Sequence, residues 1–227
     1  MSKIILPVFH SADDIVKLIN ELGFLPFFRN EIEGFSIAEC CPPELWFSDV
    51  DGPWEWKGPI IKKAGCAYGK FYKNKAMFVS REWFPDFANY RRDGYDYDSR
   101  IDQGIARHKD NDIMMKLMSL DSDILSKNLK ADVCPDKESR KTFDSSLSFL
   151  QMQCYVTTTD FEYMRDKNGK VYGWGVARYA TPEAHFGADF KDRVYRYEPE
   201  ESKSRILTHL KSILSDCPEK QLLKLIG

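Results

Sequence analysis

Aspartates recur two residues apart in this chain, as in Asp49 and Asp51, Asp96 and Asp98, and Asp121 and Asp123. Carboxylates at that spacing can hold a Mg²⁺ ion or divide general acid and general base roles between them. Each pair falls in a turn-like or helix-start stretch, where aspartate serves capping and solvation, and no glycine-rich phosphate loop accompanies any of them. The six cysteines (Cys40, Cys41, Cys66, Cys134, Cys154, Cys217) include no Cys-x-x-Cys pair, and the four histidines (His10, His108, His185, His209) are scattered singly. A zinc site needs several ligands at short local spacing. The pattern predicts no metal, no cofactor, and reduced, mostly buried thiols.

The other groups able to do chemistry are cations, hydroxyls and indoles. A net charge of −2 argues against a strongly electrostatic nucleic-acid binder. The charge is unevenly spread: −6 over residues 1–60, +6 over 61–92, −4 over 93–136, +2 over 137–178 and 0 over 179–227. Within 137–152, Phe143, Leu147 and Leu150 follow i, i+4, i+7 and predict a buried helical stripe. At about 100° per residue, Lys137, Lys141, Ser145 and Ser148 fall together on the opposite side. Further on, Asn168-Gly169 suits a two-residue type I′ turn, which would pair Lys167 with Lys170, Arg165 with Tyr172, and Phe161 with Val176. The hairpin tip then concentrates Arg165, Lys167 and Lys170. Lys62, Lys63, Lys70, Lys73 and Lys75 could extend the basic track. Solubility alone would also place lysines on an exposed helix face and a hairpin tip.

The elements that must position these groups can be read from the pattern of apolar residues and breaks. Ser11 caps a helix over 11–22 whose apolar face is Ile15, Leu18, Ile19 and Leu22, and Gly23 ends it. The chain to Pro43 reads as irregular. Aromatic and β-branched runs at 66–72 and 76–80, split by Lys73-Asn74-Lys75, predict an antiparallel hairpin followed by a helix over 81–90. Residues 93–104 are polar and broken by Gly94, which reads as a linker or exposed loop. Helices are then expected at 111–118, 121–130 and 137–152, with strands at 155–165 and 170–179 and a final amphipathic helix over 200–214. The expected fold class is α+β: an aromatic-rich N-terminal α+β lobe (1–92), the linker (93–104), a winged helix-turn-helix domain (105–187) and a C-terminal helical segment (188–227).

Trp54 and Trp56 flank Glu55 between Pro53 and Pro59. Read as a short extended element, the segment turns both indoles to one side. Such a pair either stacks on unpaired bases as an aromatic platform or closes the N-terminal core.

Two stretches carry a family resemblance: LWFSDVDGPWEWKGPIIKKAGCAYGKFYKNKAMFVSREWFPDF, and TFDSSLSFLQMQCYVTTTDFEYMRDKNGKVYGWGVARYATPEAHFG. Together they span 45–187 and resemble bacterial AlkZ-related proteins, which are similar to the winged-helix DNA glycosylases of the AlkZ and YcaQ kind. Those enzymes are built from tandem winged helices around a DNA cleft and excise alkylated or cross-linked bases with a Gln-x-Gln or Gln-x-Asp pair. The resemblance thus implies a link to DNA repair and draws attention to Gln151-Met152-Gln153, where two amides could position a water against an oxocarbenium-like sugar. This chain is shorter than the glycosylases. The pair also falls at the end of the predicted third helix, where residues two apart diverge by about 200°.

The sequence therefore predicts a winged-helix nucleic-acid-binding protein with DNA as its partner. The alternatives are a DNA glycosylase acting through Gln151 and Gln153, or a protein-interaction module. The start of the chain has neither a signal-peptide pattern nor a run of about 20 apolar residues, so a cytoplasmic location without membrane contact is expected.

Overall fold

The computed structural model describes residues 6–46, 51–165, 167–169 and 171–227, and the side chains of residue 165 and of residues 171–174 are outside that description. Asp49, Lys170 and the Arg165 side chain therefore lie outside the described residues. In chain order the elements are α1 (Ala12–Leu22), β1 (Phe24–Pro26), α2 (Ile37–Cys40), a 3-10 turn (Pro43–Leu45), α3 (Pro53–Ala64), β2 (Ala67–Tyr72), β3 (Lys75–Val79), α4 (Phe84–Arg92) and α5 (Tyr97–Asp102). They continue with α6 (His108–Met118), β4 (Ile124–Leu125), α7 (Ser126–Val133), α8 (Lys137–Met152), β5 (Thr157–Arg165), β6 (Val171–Ala180), α9 (Pro182–Phe186), α10 (Ala188–Val194), α11 (Pro199–Ile213) and α12 (Glu219–Ile226).

Local chemistry sets the ends of these elements. At α1, the Ser11 hydroxyl accepts the Asp14 N–H, and the Asp14 carboxylate accepts the N–H groups of His10 and Ser11 at 3.0 Å each. These bonds, that from His10 foremost, hold the Asp14 carboxyl below its ordinary range. Gly23 ends the helix at φ +76, a conformation and a space only glycine fits: a Cβ there would lie 2.5 Å from the Trp83 ring. The β2–β3 turn is Lys73-Asn74, both at positive φ (45 and 61), as a type I′ turn requires.

The strands form one six-stranded antiparallel sheet in the order β1-β3-β2-β5-β6-β4. Alternation along β1 and β3 sends Phe24, Met77 and Val79 into one core, beneath α4, α10, α11 and α12, and Leu25 and Phe78 into another, beneath α1 and α3. A third core gathers Tyr97, Ile113, Leu117, Leu129, Phe143, Leu147, Leu150 and Tyr155 from α5 to α8 and the start of β5. The two halves of the sheet meet at one backbone position, Tyr68 opposite Thr158. There the buried Thr157 hydroxyl accepts the Tyr68 N–H (3.3 Å) and donates to the Tyr68 carbonyl (3.2 Å), extending the ladder with a side chain.

Four expectations are corrected. Trp54 and Trp56 lie on α3, not on an extended segment: Pro53 occupies the first helical position, where no N–H is needed, and the Glu55 carboxylate accepts the Gly52 N–H. Gly58, which reads as a breaker, lets the helix approach β5, since a Cβ there would lie 2.7 Å from Asp160 Oδ1. The stretch 93–104 contains α5, capped by Asp96 and anchored by the buried Tyr97. Residues 24–43 contain β1 and α2, the first an edge strand on β3. The β5–β6 hairpin is out of the register expected from a two-residue turn. Arg165 pairs with Val171 and Phe161 with Ala177, with register shifts at Thr158/Asp160 and Glu162/Met164. One residue of slip exchanges the faces of the strand.

The chain end returns to the first half. α11 packs on α4, where Asn89 donates to the Tyr197 carbonyl (2.7 Å) and to Ser202, and Ser202 donates to Asp86 (2.8 Å). Arg92, the last residue of α4, is fully buried; it donates to Glu183 (2.7 Å), to the Tyr195 hydroxyl (2.8 Å) and to the Cys154 carbonyl (2.8 Å). Burial alone would disfavour its charge, but the Glu183 carboxylate and the two oxygens keep the guanidinium protonated. Among the described residues no helix is long and apolar enough to cross a membrane.

Candidate nucleic-acid interface

The basic surface centres on α8. Asp136 caps it, accepting the Ser139 N–H at 2.8 Å, and that bond lowers the Asp136 carboxyl below its ordinary range. Phe143, Leu147 and Leu150 are buried as their spacing predicts, which turns Lys137, Lys141 and Ser145 outward. Lys141 pairs with Glu138 (3.3 Å) across one turn, and Ser145 donates to the Thr142 carbonyl (2.7 Å). The exposed side of the helix therefore keeps Lys137 and Arg140 as cations beyond the Lys141 pair. Asp144, on the same side, is held by Lys130 of α7 at 3.0 Å. Ser148 sits further along, partly covered by β2, where its hydroxyl accepts from Lys70 Nζ at 3.0 Å.

The other predicted cations are distributed differently. Lys167 is exposed at the hairpin turn. Lys62 is bound to Asp160 of β5 (2.6 Å) and Lys63 to Asp13 of α1 (2.7 Å), so both fasten α3 to its neighbours. Lys73 pairs with Glu31, and Lys75 donates to the Arg29 carbonyl (3.1 Å). The structure thus joins Lys70 to Ser148 of α8 and ties Lys62 to the hairpin strand, while Lys63, Lys73 and Lys75 serve the first lobe.

The glutamine pair separates. Gln151 is buried, its side-chain oxygen accepting the Lys70 N–H of β2 (3.0 Å) and its amide donating to the Leu147 carbonyl (3.4 Å). Gln153 is the residue after the helix and lines a surface groove with Met152, Tyr72 and Leu223. The groove that Gln153 lines does not include Gln151. On α3 the indoles also part, because two helical positions span about 200°. Trp56 is 3% exposed in the core, and Trp54 is half-buried against Phe27, Phe28 and Trp46 at ring separations of 5.6, 6.0 and 5.6 Å.

Two of the described carboxylates of the sequence pairs have structural work. Asp96 caps α5 (2.7 Å to the Ser99 N–H), and Asp123 accepts from Thr159 (2.7 Å) and Arg178 (2.8 Å). Burial raises the thiols of Cys41, Cys66 and Cys154 to about 12, so they are protonated at neutral pH. Asp96, Asp98, Asp121, Glu183 and Lys191 line a 460 Å³ cavity together with Tyr97, Met114 and Tyr155.

Two groups escaped the sequence reading. The Lys57 ammonium lies 4.8 Å from the Trp54 ring and 4.2 Å from the Phe161 ring, and burial lowers its pKa to about 8. The signal for it in the sequence is its spacing three residues after Trp54, which a helix brings to one side. Arg92 could not be found from sequence, because its partners lie 62 to 103 residues away.

Nothing among curated proteins and nothing among solved structures matches this chain. The family described as AlkZ related matches residues 9–227, almost the entire sequence, and the chain belongs to that family.

Proposed function

We propose that this protein is a winged-helix DNA-binding protein related to DNA repair factors. The observation that carries the reading is the order α6-β4-α7-α8-β5-β6 with the short strand β4 paired to β6, Ile124 opposite Tyr179 and Leu125 opposite Arg178. Three helices with a small strand inserted after the first and a hairpin after the third make the winged variant of the helix-turn-helix. In that arrangement the third helix enters the major groove and the hairpin tip touches the backbone. Here those parts are the N-terminal half of α8, with Lys137, Lys141 and Ser145, and the β5–β6 turn with Lys167, flanked in sequence by Arg165 and Lys170. Family membership supports the connection to repair. Catalysis is not part of the proposal, since the Gln151 amide is committed to holding α8 against β2.

The test is fluorescence anisotropy with a labelled duplex of about 20 base pairs, roughly two helical turns, titrated over a range of salt. The unmodified protein should bind at low salt and weaken steeply as salt rises. The double variant Lys137→Glu/Lys141→Glu should lose at least about tenfold in affinity and flatten the salt slope by about 2. Absent binding at low salt, or an affinity unchanged by the charge reversal, would refute the reading.

A further inference from the structure

A groove of 560 Å³ lies between the end of β2, the exit of α8 and α12, a size within the roughly 300–1,000 Å³ of small-molecule sites. Its floor and walls are apolar, made by Phe71, Tyr72, Met152 and Leu223. Its cations are Lys73, Arg91, Lys220 and Lys224, of which Lys73 is paired with Glu31. Of the carboxylates nearby, Glu31 pairs with Lys73 and Glu219 with Lys211 at 2.6 Å, and Gly227 also lines the groove, its oxygen accepting from the Tyr90 hydroxyl. Lys220 and Lys224 are exposed and one helical turn apart, so their ammonium groups stand on the same side of α12. Arg91 is fixed in the wall, with one nitrogen donating to the Phe71 carbonyl and its Nε buried without an acceptor among the described residues. Gln153 adds an amide, which offers both a donor and an acceptor.

An apolar slot lined also by several cations and one neutral amide matches a flat, partly apolar ring that carries a phosphate. From this geometry we infer that the groove binds a nucleoside monophosphate unit, its base against Tyr72, Met152 and Leu223 and within reach of Gln153, and its phosphate at Lys220 and Lys224. The unit has two sources: a free nucleotide, or an unpaired nucleotide at the end of a DNA strand. The second source rests on the DNA-binding reading given above.

The experiment uses the full chain in two arms. In the first, calorimetric titration compares deoxyadenosine monophosphate with deoxyadenosine and with inorganic phosphate. In the second, anisotropy compares a blunt duplex of about 12 base pairs with the same duplex carrying an overhang of about three unpaired nucleotides. Each arm is repeated with Lys220→Glu/Lys224→Glu, exposed positions whose replacement leaves the core intact. A free-nucleotide site is supported when the monophosphate binds at least about tenfold more tightly than either fragment and the variant abolishes the difference. A strand-end site is supported when the overhang improves affinity at least about tenfold and the variant removes that gain alone. If the monophosphate binds no better than its fragments and the overhang adds nothing, the inference is overturned, even if the blunt duplex binds. Loss of blunt-duplex binding with retained monophosphate binding would instead remove the DNA reading and leave the groove as a site for free nucleotide.

Discussion

At the scale of single residues, Lys57 shows how position along a helix decides a side chain's chemistry. Its ammonium is enclosed by two aromatic rings, so the protonated form has lost most of its hydration and the folded pKa falls from the ordinary 10.5 to about 8. Below pH 8 both folded and unfolded chains hold the proton, and the cost of burying the charge is constant. Between pH 8 and 10.5 the unfolded chain holds more protons, so stability rises with pH, by up to about 3 kcal/mol from this group at 1.36 kcal/mol per unit. The variant Lys57→Met should lack this rise. Urea unfolding of both proteins at about pH 7.5 and about pH 10 tests it: the gap between them should change by a few kcal/mol. A constant gap would mean that Lys57 keeps its ordinary pKa.

At the scale of elements, the buried part of the joint between α8 and β2 rests on the Gln151 amide. Gln151 accepts the Lys70 N–H where no strand supplies a partner. Removing the amide leaves a buried donor unsatisfied, which costs about 1–3 kcal/mol. Gln151→Ala should therefore unfold at correspondingly lower urea concentration, while Gln153→Ala, at the partly exposed helix exit, should shift stability by less than about 0.5 kcal/mol. Equal small effects would remove the stapling role. Most elements were legible beforehand because their signals are local. Ser11 and Asp14 mark the start of α1, Lys73-Asn74 marks a tight turn, and Phe143, Leu147 and Leu150 mark the buried side of α8. The α3 segment was misread because Pro53, Gly58 and Pro59 are all breakers in isolation. Pro53 at the first helical position and Gly58 against Asp160 take their meaning from neighbours distant in sequence.

At the scale of the whole molecule, the sheet and the C-terminal helices bind the two halves together. Arg92 lies at the edge of the stretch expected to be a linker, yet its guanidinium is buried among Cys154, Glu183 and Tyr195. Glu183→Gln should strand that charge and destabilise the fold by about 3 kcal/mol. Because the partners come from both halves, tryptophan fluorescence, dominated by the first lobe, and far-ultraviolet circular dichroism should report the loss in a single shared transition. Separate midpoints would show that residues 1–92 and 105–187 unfold independently.

Helix α1, the β2–β3 hairpin, the helices α6 to α8, the apolar stripe of α8 and its lysine face were determined by sequence alone, because each rests on residues within a few turns of one another. Tertiary structure decided which of those residues remain available. It paired Lys62 and Lys63 with Asp160 and Asp13, buried Gln151, parted Trp54 from Trp56, and assembled the cationic groove from β2, α4, α8 and α12. The physical reason is that a charge or an amide is free to bind a ligand only when no nearer partner has claimed it. For Lys62 that partner is brought in from 98 residues along the chain.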